Sequence, residues 1–96
     1  MSPLKQKKLS KIRLELDKLD NSLIKVIKKR TNLVKKVLKL KDKKNQIIDQ
    51  KRIKTILKNI RNKSIKNNID PKITNRIWKN MIWSYIDFER RNFKNK

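Results

Sequence analysis

Leu9-Ser10-Lys11-Ile12-Arg13-Leu14-Glu15-Leu16-Asp17-Lys18-Leu19-Asp20-Asn21-Ser22-Leu23-Ile24-Lys25-Val26-Ile27, carried on by Leu33, Val34, Val37 and Leu40, is the stretch that decides the fold. Its apolar positions 9, 12, 16, 19, 23, 26 and 27 alternate by threes and fours, the spacing of one face of an α-helix. Between Pro3 and Pro71 there is neither Pro nor Gly, so nothing in the sequence breaks the helix early. The stripe lapses at Asp42-Lys43-Lys44-Asn45-Gln46, a polar run that reads as a loop. Asp49 is placed to cap a second helix with its own stripe at Ile53, Ile56, Leu57 and Ile60, which Asn67-Asn68 ends. Asp70-Pro71, a capping residue followed by proline at the first helical position, starts a third. That helix carries Ile73, Ile77, Trp78, Met81, Ile82, Tyr85, Ile86, Phe88 and Phe93. The expected fold is all-α, a single domain over 1–96 with helices near 4–42, 49–66 and 71–93.

The first helix is long for so small a chain. At 1.5 Å per residue, roughly 36 residues extend about 54 Å, whereas a compact chain of this length has a radius of gyration of about 12–13 Å. An apolar stripe that outruns its own two shorter neighbours needs another surface to cover it. A second, antiparallel copy would do so, and the expectation is an intertwined, domain-swapped homodimer. A 96-residue monomer also buries little surface, which favours a partner.

Composition narrows the chemistry. The chain has no Cys and no His, which removes disulfides, thiolate metal sites, imidazole ligands and the usual general base. No metal and no cofactor are expected. The basic start, Met1-Ser2-Pro3-Leu4-Lys5, has no apolar segment behind it and does not read as a signal peptide. No apolar run approaches the ~20 residues of a membrane span, so a cytoplasmic protein is expected. The formal charge of +22 suits a polyanion. Yet Lys (23), Ile (14) and Asn (11) make up half of the chain, all with A/T-rich codons, and that bias alone fills a solvated surface with Lys. No specific nucleic acid is expected.

Several charges interrupt the apolar stripes. Arg30 lies three after Ile27 and four before Val34, Lys41 four after Val37, and Arg13 beside Ile12. Arg52 is four before Ile56, and Glu89 lies four after Tyr85 and four before Phe93. Unpaired charges facing inward are expensive, and an anionic ligand would satisfy the cations. Only seven of the 30 basic residues are Arg, and three of the seven sit at these positions. Guanidinium offers a rigid fork for a carboxylate that ammonium lacks.

Ile12-Arg13-x-x-Leu16-x-x-Leu19-Asp20-x-x-Leu23, then Lys29-Arg30, Lys41 and Asp49-x-x-Arg52, resembles the all-helical chorismate mutase family in order and spacing. Asp70-Pro71 and Trp78-x-x-Met81-Ile82 extend the resemblance, which runs from about Leu9 to Phe93. It implies rearrangement of chorismate to prephenate in a swapped dimer with two equivalent sites. By the same resemblance, Arg13 would bind a carboxylate in the partner's pocket and Arg30 a carboxylate in its own. Lys41 would contact a carboxylate and the ether oxygen of the breaking bond. Arg52 and the backbone near Asp49 would wall the substrate ring, and Tyr85 stands where the family often has a small hydroxyl residue that contacts substrate.

Two positions depart from the pattern. The family's Arg-Glu pair is Arg52-Ile53 here, which removes a contact to the ring hydroxyl. The related isochorismate pyruvate lyases, an alternative reading, and some mutases also carry an aliphatic residue there. By the same resemblance, Glu89 stands where many members have Gln, the second donor to the ether oxygen; some mutases of this fold carry Glu there, whereas the lyases carry Gln. A basic helical nucleic-acid binder is the alternative from another class, carried by the charge and by Trp78, Trp83, Tyr85, Phe88 and Phe93 in the last helix. A carboxyl group donates a hydrogen bond only when protonated, so activity should fall as pH rises, and Glu89→Gln should flatten the pH–rate profile. A profile unchanged by the substitution removes Glu89 from the reaction.

Overall fold

In the computed structural model, residues 1–94 are described. Among them are three α-helices, α1 (Pro3–Leu40), α2 (Gln50–Lys66) and α3 (Pro71–Asn92), one 3₁₀ turn (Lys44–Gln46) and no strand. The helical class and the count of three follow the sequence reading. Ser2 opens α1, its Oγ accepting from the Lys5 N–H at 3.2 Å, with Pro3 in the first helical position. The helix ends at Leu40, two residues short of the expected 42. The reason is local: the Gln46 side-chain carbonyl accepts from the Asp42 and Lys43 N–H groups at 2.7 and 2.9 Å, so these donors turn away from the helix.

Contacts divide the chain into two units, Met1–Leu33 and the residues from Val34 on. The first unit is helical from Pro3, and its stripe is in solvent. Ile12, Leu16, Leu19, Leu23 and Val26 are between 52% and 62% exposed. Isolated apolar residues on a surface are ordinary, but a continuous stripe of them marks an interaction surface.

The second unit holds the core. Ile47, from the loop after α1, packs with Ile82 and Ile86 of α3, ringed by Leu38, Ile48, Ile53, Ile56, Leu57 and Phe93. Fully burying an Ile side chain contributes about 1.5–3 kcal/mol. Ile82 and Ile86 are one turn apart and share a face of α3, and Ile53, Ile56 and Leu57 supply the facing stripe of α2. Ile73 and Ile77, assigned to the same stripe from sequence, are about half exposed, as is Trp83.

Two hydroxyls fasten α2 to α3. Ser64 Oγ donates to the Ile60 carbonyl at 2.6 Å and lies 2.6 Å from Thr74 Oγ1, and both residues are buried. Between the helices the chain turns on Asn68, whose φ of 57° is left-handed. The Asn68 N–H donates to the Ile65 carbonyl and the Ile69 N–H to the Ser64 carbonyl, the paired bonds of a Schellman ending. Glycine usually fills that position. In a chain without glycine, Asn takes it, the side chain best suited after Gly to positive φ. Asp70 then caps α3 by accepting from the Lys72 N–H at 2.9 Å.

Ser64→Ala leaves Thr74 with only the longer bond to the Pro71 carbonyl at 3.3 Å. It should cost about 1 kcal/mol in urea unfolding. Ser84→Ala, which removes an exposed hydroxyl bond on the same helix pair, should stay within about 0.5 kcal/mol. Equal effects would mean that the buried hydroxyl pair adds no stability.

Candidate active site

The most enclosed charges in the second unit are Lys41 and Glu89. Glu89 follows Ile82 and Ile86 by seven and three residues, so the helical repeat turns it to the core face of α3, where it is 6% exposed. A carboxylate there needs a cation, and Lys41, just beyond the end of α1, provides it: Nζ lies 3.0 Å from Glu89 Oε2. The ammonium also donates to the Ile47 carbonyl at 3.4 Å, so two of its three donors are directed by the protein. The lysine end stays more open, with side-chain exposures of 19% for Lys41 and 8% for Glu89.

The loop holds Lys41 in place. Gln46 gathers the Asp42 and Lys43 N–H groups, and Ile47, next in sequence, buries its side chain in the core while its carbonyl faces Lys41. Sequence reading placed Gln46 in the loop without a role and gave none to Ile47. The available signal was an apolar pair, Ile47-Ile48, closing a wholly polar run.

The other expected residues fall as follows. Asp49 accepts from the Arg52 N–H at 3.0 Å, so its carboxylate is the N-cap of α2. The Arg52 side chain is exposed, contrary to the inward position expected for it. It sits about 100° around the helix from Ile53 and outside the face that Ile53, Ile56, Leu57 and Ile60 share. Tyr85 is half-buried one turn before Glu89, its ring edge-on to Phe88 at 6.5 Å and 87°. In the first unit, Arg13 is exposed beside a stripe that is itself exposed, and Arg30 is half-buried with its Nε shut off from solvent. Lys41 and Glu89 are thus brought into direct contact, and Asp49 meets Arg52 through the backbone. Among the described residues, no cluster of three or more His, Cys, Asp or Glu could hold a metal ion, and no helix is long and apolar enough to cross a membrane.

A lysine and a carboxyl group 3.0 Å apart can both reach a single oxygen atom placed beside them. The lysine offers a positive donor. The carboxyl group accepts from lysine when ionised and donates when protonated. That suits stabilisation of charge appearing on an oxygen, and it requires no nucleophile. A family model for chorismate mutase type II matches residues 12–90. No curated protein and no solved structure matches the chain.

Removing Lys41 alone strands a buried carboxylate. Lys41→Met should destabilise the fold by about 3 kcal/mol or more in urea unfolding. Lys41→Met combined with Glu89→Leu should recover most of the loss, because the stranded charge goes too. A double variant no more stable than Lys41→Met would show that the pair is not the source of the cost.

Proposed function

The chain belongs to the chorismate mutase type II family, and we propose that it rearranges chorismate to prephenate. The observation that carries this is the enclosed Lys41–Glu89 pair at 3.0 Å. The rearrangement is one concerted pericyclic step: the ether C–O bond breaks as a C–C bond forms, and no proton or electron need be exchanged with the protein. A chain with neither His nor Cys lacks nothing that this step requires. The work is to hold the flexible substrate in its compact diaxial shape and to stabilise charge on the ether oxygen. Lys41 and Glu89 are assigned the ether oxygen. Arg13 and Arg30 are assigned the carboxylates, Arg52 and the backbone near Asp49 the wall around the substrate ring, and Tyr85 a contact with the substrate.

Residues 1–96 are assigned to one domain that works as an intertwined homodimer. The exposed stripe Ile12, Leu16, Leu19, Leu23 and Val26 supports this, since a second copy would take it out of water. Arg13 of the partner subunit would then serve this subunit's pocket. The isochorismate pyruvate lyase reading shares the grip on carboxylates and draws support from Ile53. Glu89 weighs for the mutase.

Chorismate and isochorismate supplied separately, with the products identified, divide the two readings: prephenate from chorismate is expected, and pyruvate released from isochorismate alone would overturn it. Arg30→Ala and Lys41→Ala should each lower the rate by roughly 10²–10³-fold, with Lys41→Ala read at a denaturant-free temperature where circular dichroism confirms the helices. Full activity in either variant removes that residue from the site. Sedimentation equilibrium should give twice the chain mass of 11.7 kDa, and a monomer mass would refute the swapped dimer.

A further inference from the structure

The segment between Asp49 and Asp70 contains Lys51, Arg52, Lys54, Lys58, Arg61, Lys63 and Lys66 and no carboxylate. From Pro71 to Ile86 there follow Lys72, Arg76 and Lys79, again with no carboxylate, and all ten cations are exposed. At 100° per residue, Lys51, Lys54, Lys58 and Arg61 occupy one sector of α2 about 80° wide, on the side away from Ile53, Ile56 and Ile60. They follow one another over about 15 Å of helix axis. Like charges at i,i+3 and i,i+4 repel, and the carboxylates nearest in sequence before each helix, the N-caps Asp49 and Asp70, accept from the backbone N–H groups of Arg52 and Lys72.

The ridge also has a second wall. Lys58 and Arg61 of α2 face Lys72 and Asn75 of α3 across a groove of about 380 Å³, floored by Leu57 and Pro71. The ion pairs identified among the described residues, Lys41–Glu89 and Arg91–Asp87, involve none of these cations.

We propose that the ridge Lys51-Lys54-Lys58-Arg61, with Lys72 across the groove, is a docking track for the phosphate backbone of a nucleic acid, without base-sequence preference. A row of single cations along one helix axis matches a linear polymer of regularly spaced negative charge, on which each contact releases condensed counterions. A lipid surface would instead favour an apolar strip flanked by cations, and four of the five residues in this sector are cations, with Ile65 alone at its end. The inference rests on the placement of charge and is independent of the enzymatic reading.

The test is fluorescence anisotropy of the full chain with a labelled mixed-sequence DNA duplex of about 20 base pairs, titrated between about 50 and 200 mM salt. The track variant is Lys54→Gln/Lys58→Gln/Arg61→Gln/Lys72→Gln. The control, Lys7→Gln/Lys8→Gln/Lys11→Gln/Lys18→Gln, removes the same charge from the first unit. Gln is nearly as good a helix former as Lys, so both should keep their helices by circular dichroism. The track variant should bind about tenfold or more weakly, with a log K against log salt slope shallower by roughly 3–4, and the control should change both much less. If the track variant loses its helices, Lys58→Gln and Lys72→Gln singly should each reduce the slope by about 1. Equal losses in the two quadruple variants would assign the binding to bulk charge and overturn the track. Unchanged binding in the track variant, or anionic vesicles outcompeting the duplex at equal phosphate, would overturn it as well.

Discussion

A carboxylate can be kept on the core face of a helix only if a cation is brought to it, and much of the second unit is arranged around that requirement. Glu89 shares its face of α3 with Ile82 and Ile86, so the packing that buries the isoleucines also buries the charge. Lys41 answers it from 48 residues earlier in the chain, and the residues between Lys41 and α2 hold the lysine at the right distance. Gln46 gathers the backbone, Ile47 anchors the loop in the core and turns its carbonyl to the ammonium, and Asp49 then starts α2. The loop is therefore part of the site's support, and the pair that would serve chemistry also closes the core. If the proposed reaction runs through Lys41, function and stability are coupled at that residue for this reason.

The helices were legible because their signals are local. The three-and-four spacing, the missing Pro and Gly, Asp49 as a cap and Asp70-Pro71 each act within a turn or two. The burial of Glu89 was legible too, since its spacing from Tyr85 and Phe93 put it on the stripe. Its ion pair with Lys41 was not legible from spacing, because a contact between positions 41 and 89 depends on how a loop folds back; the family resemblance alone set the two side chains on one oxygen. The Ser64–Thr74 contact escaped for a similar reason: polar residues on an apolar face look like flaws until their partner across the helix pair is known. The exposure of Arg52 reflects a finer limit. A residue one position off an apolar stripe is rotated by about 100°, and spacing to a single neighbour, Ile56, does not reveal which edge it falls on.

Charge is distributed with little internal compensation. Eight carboxylates face 30 basic side chains, and of the carboxylates one is buried with Lys41 and two cap helices. A compact state under such self-repulsion depends on solvent ions more than an ordinary domain does. Whatever filled the surface with lysine, the field those charges create is the same. A second copy of the chain would carry the same field, so the proposed association through the apolar stripe of α1 would have to overcome it.

At the corner between α2 and α3, the backbone of Asn68 takes a conformation of opposite hand to the helices on either side. An L-residue there bears a steric penalty of about 1–2 kcal/mol, from its Cβ against the following carbonyl. In a mirror-image amino acid the same φ is relaxed. A chain assembled by chemical synthesis with D-asparagine or D-alanine at this one place would thus keep the hairpin while losing the clash, a stiffening of the corner that no codon can encode.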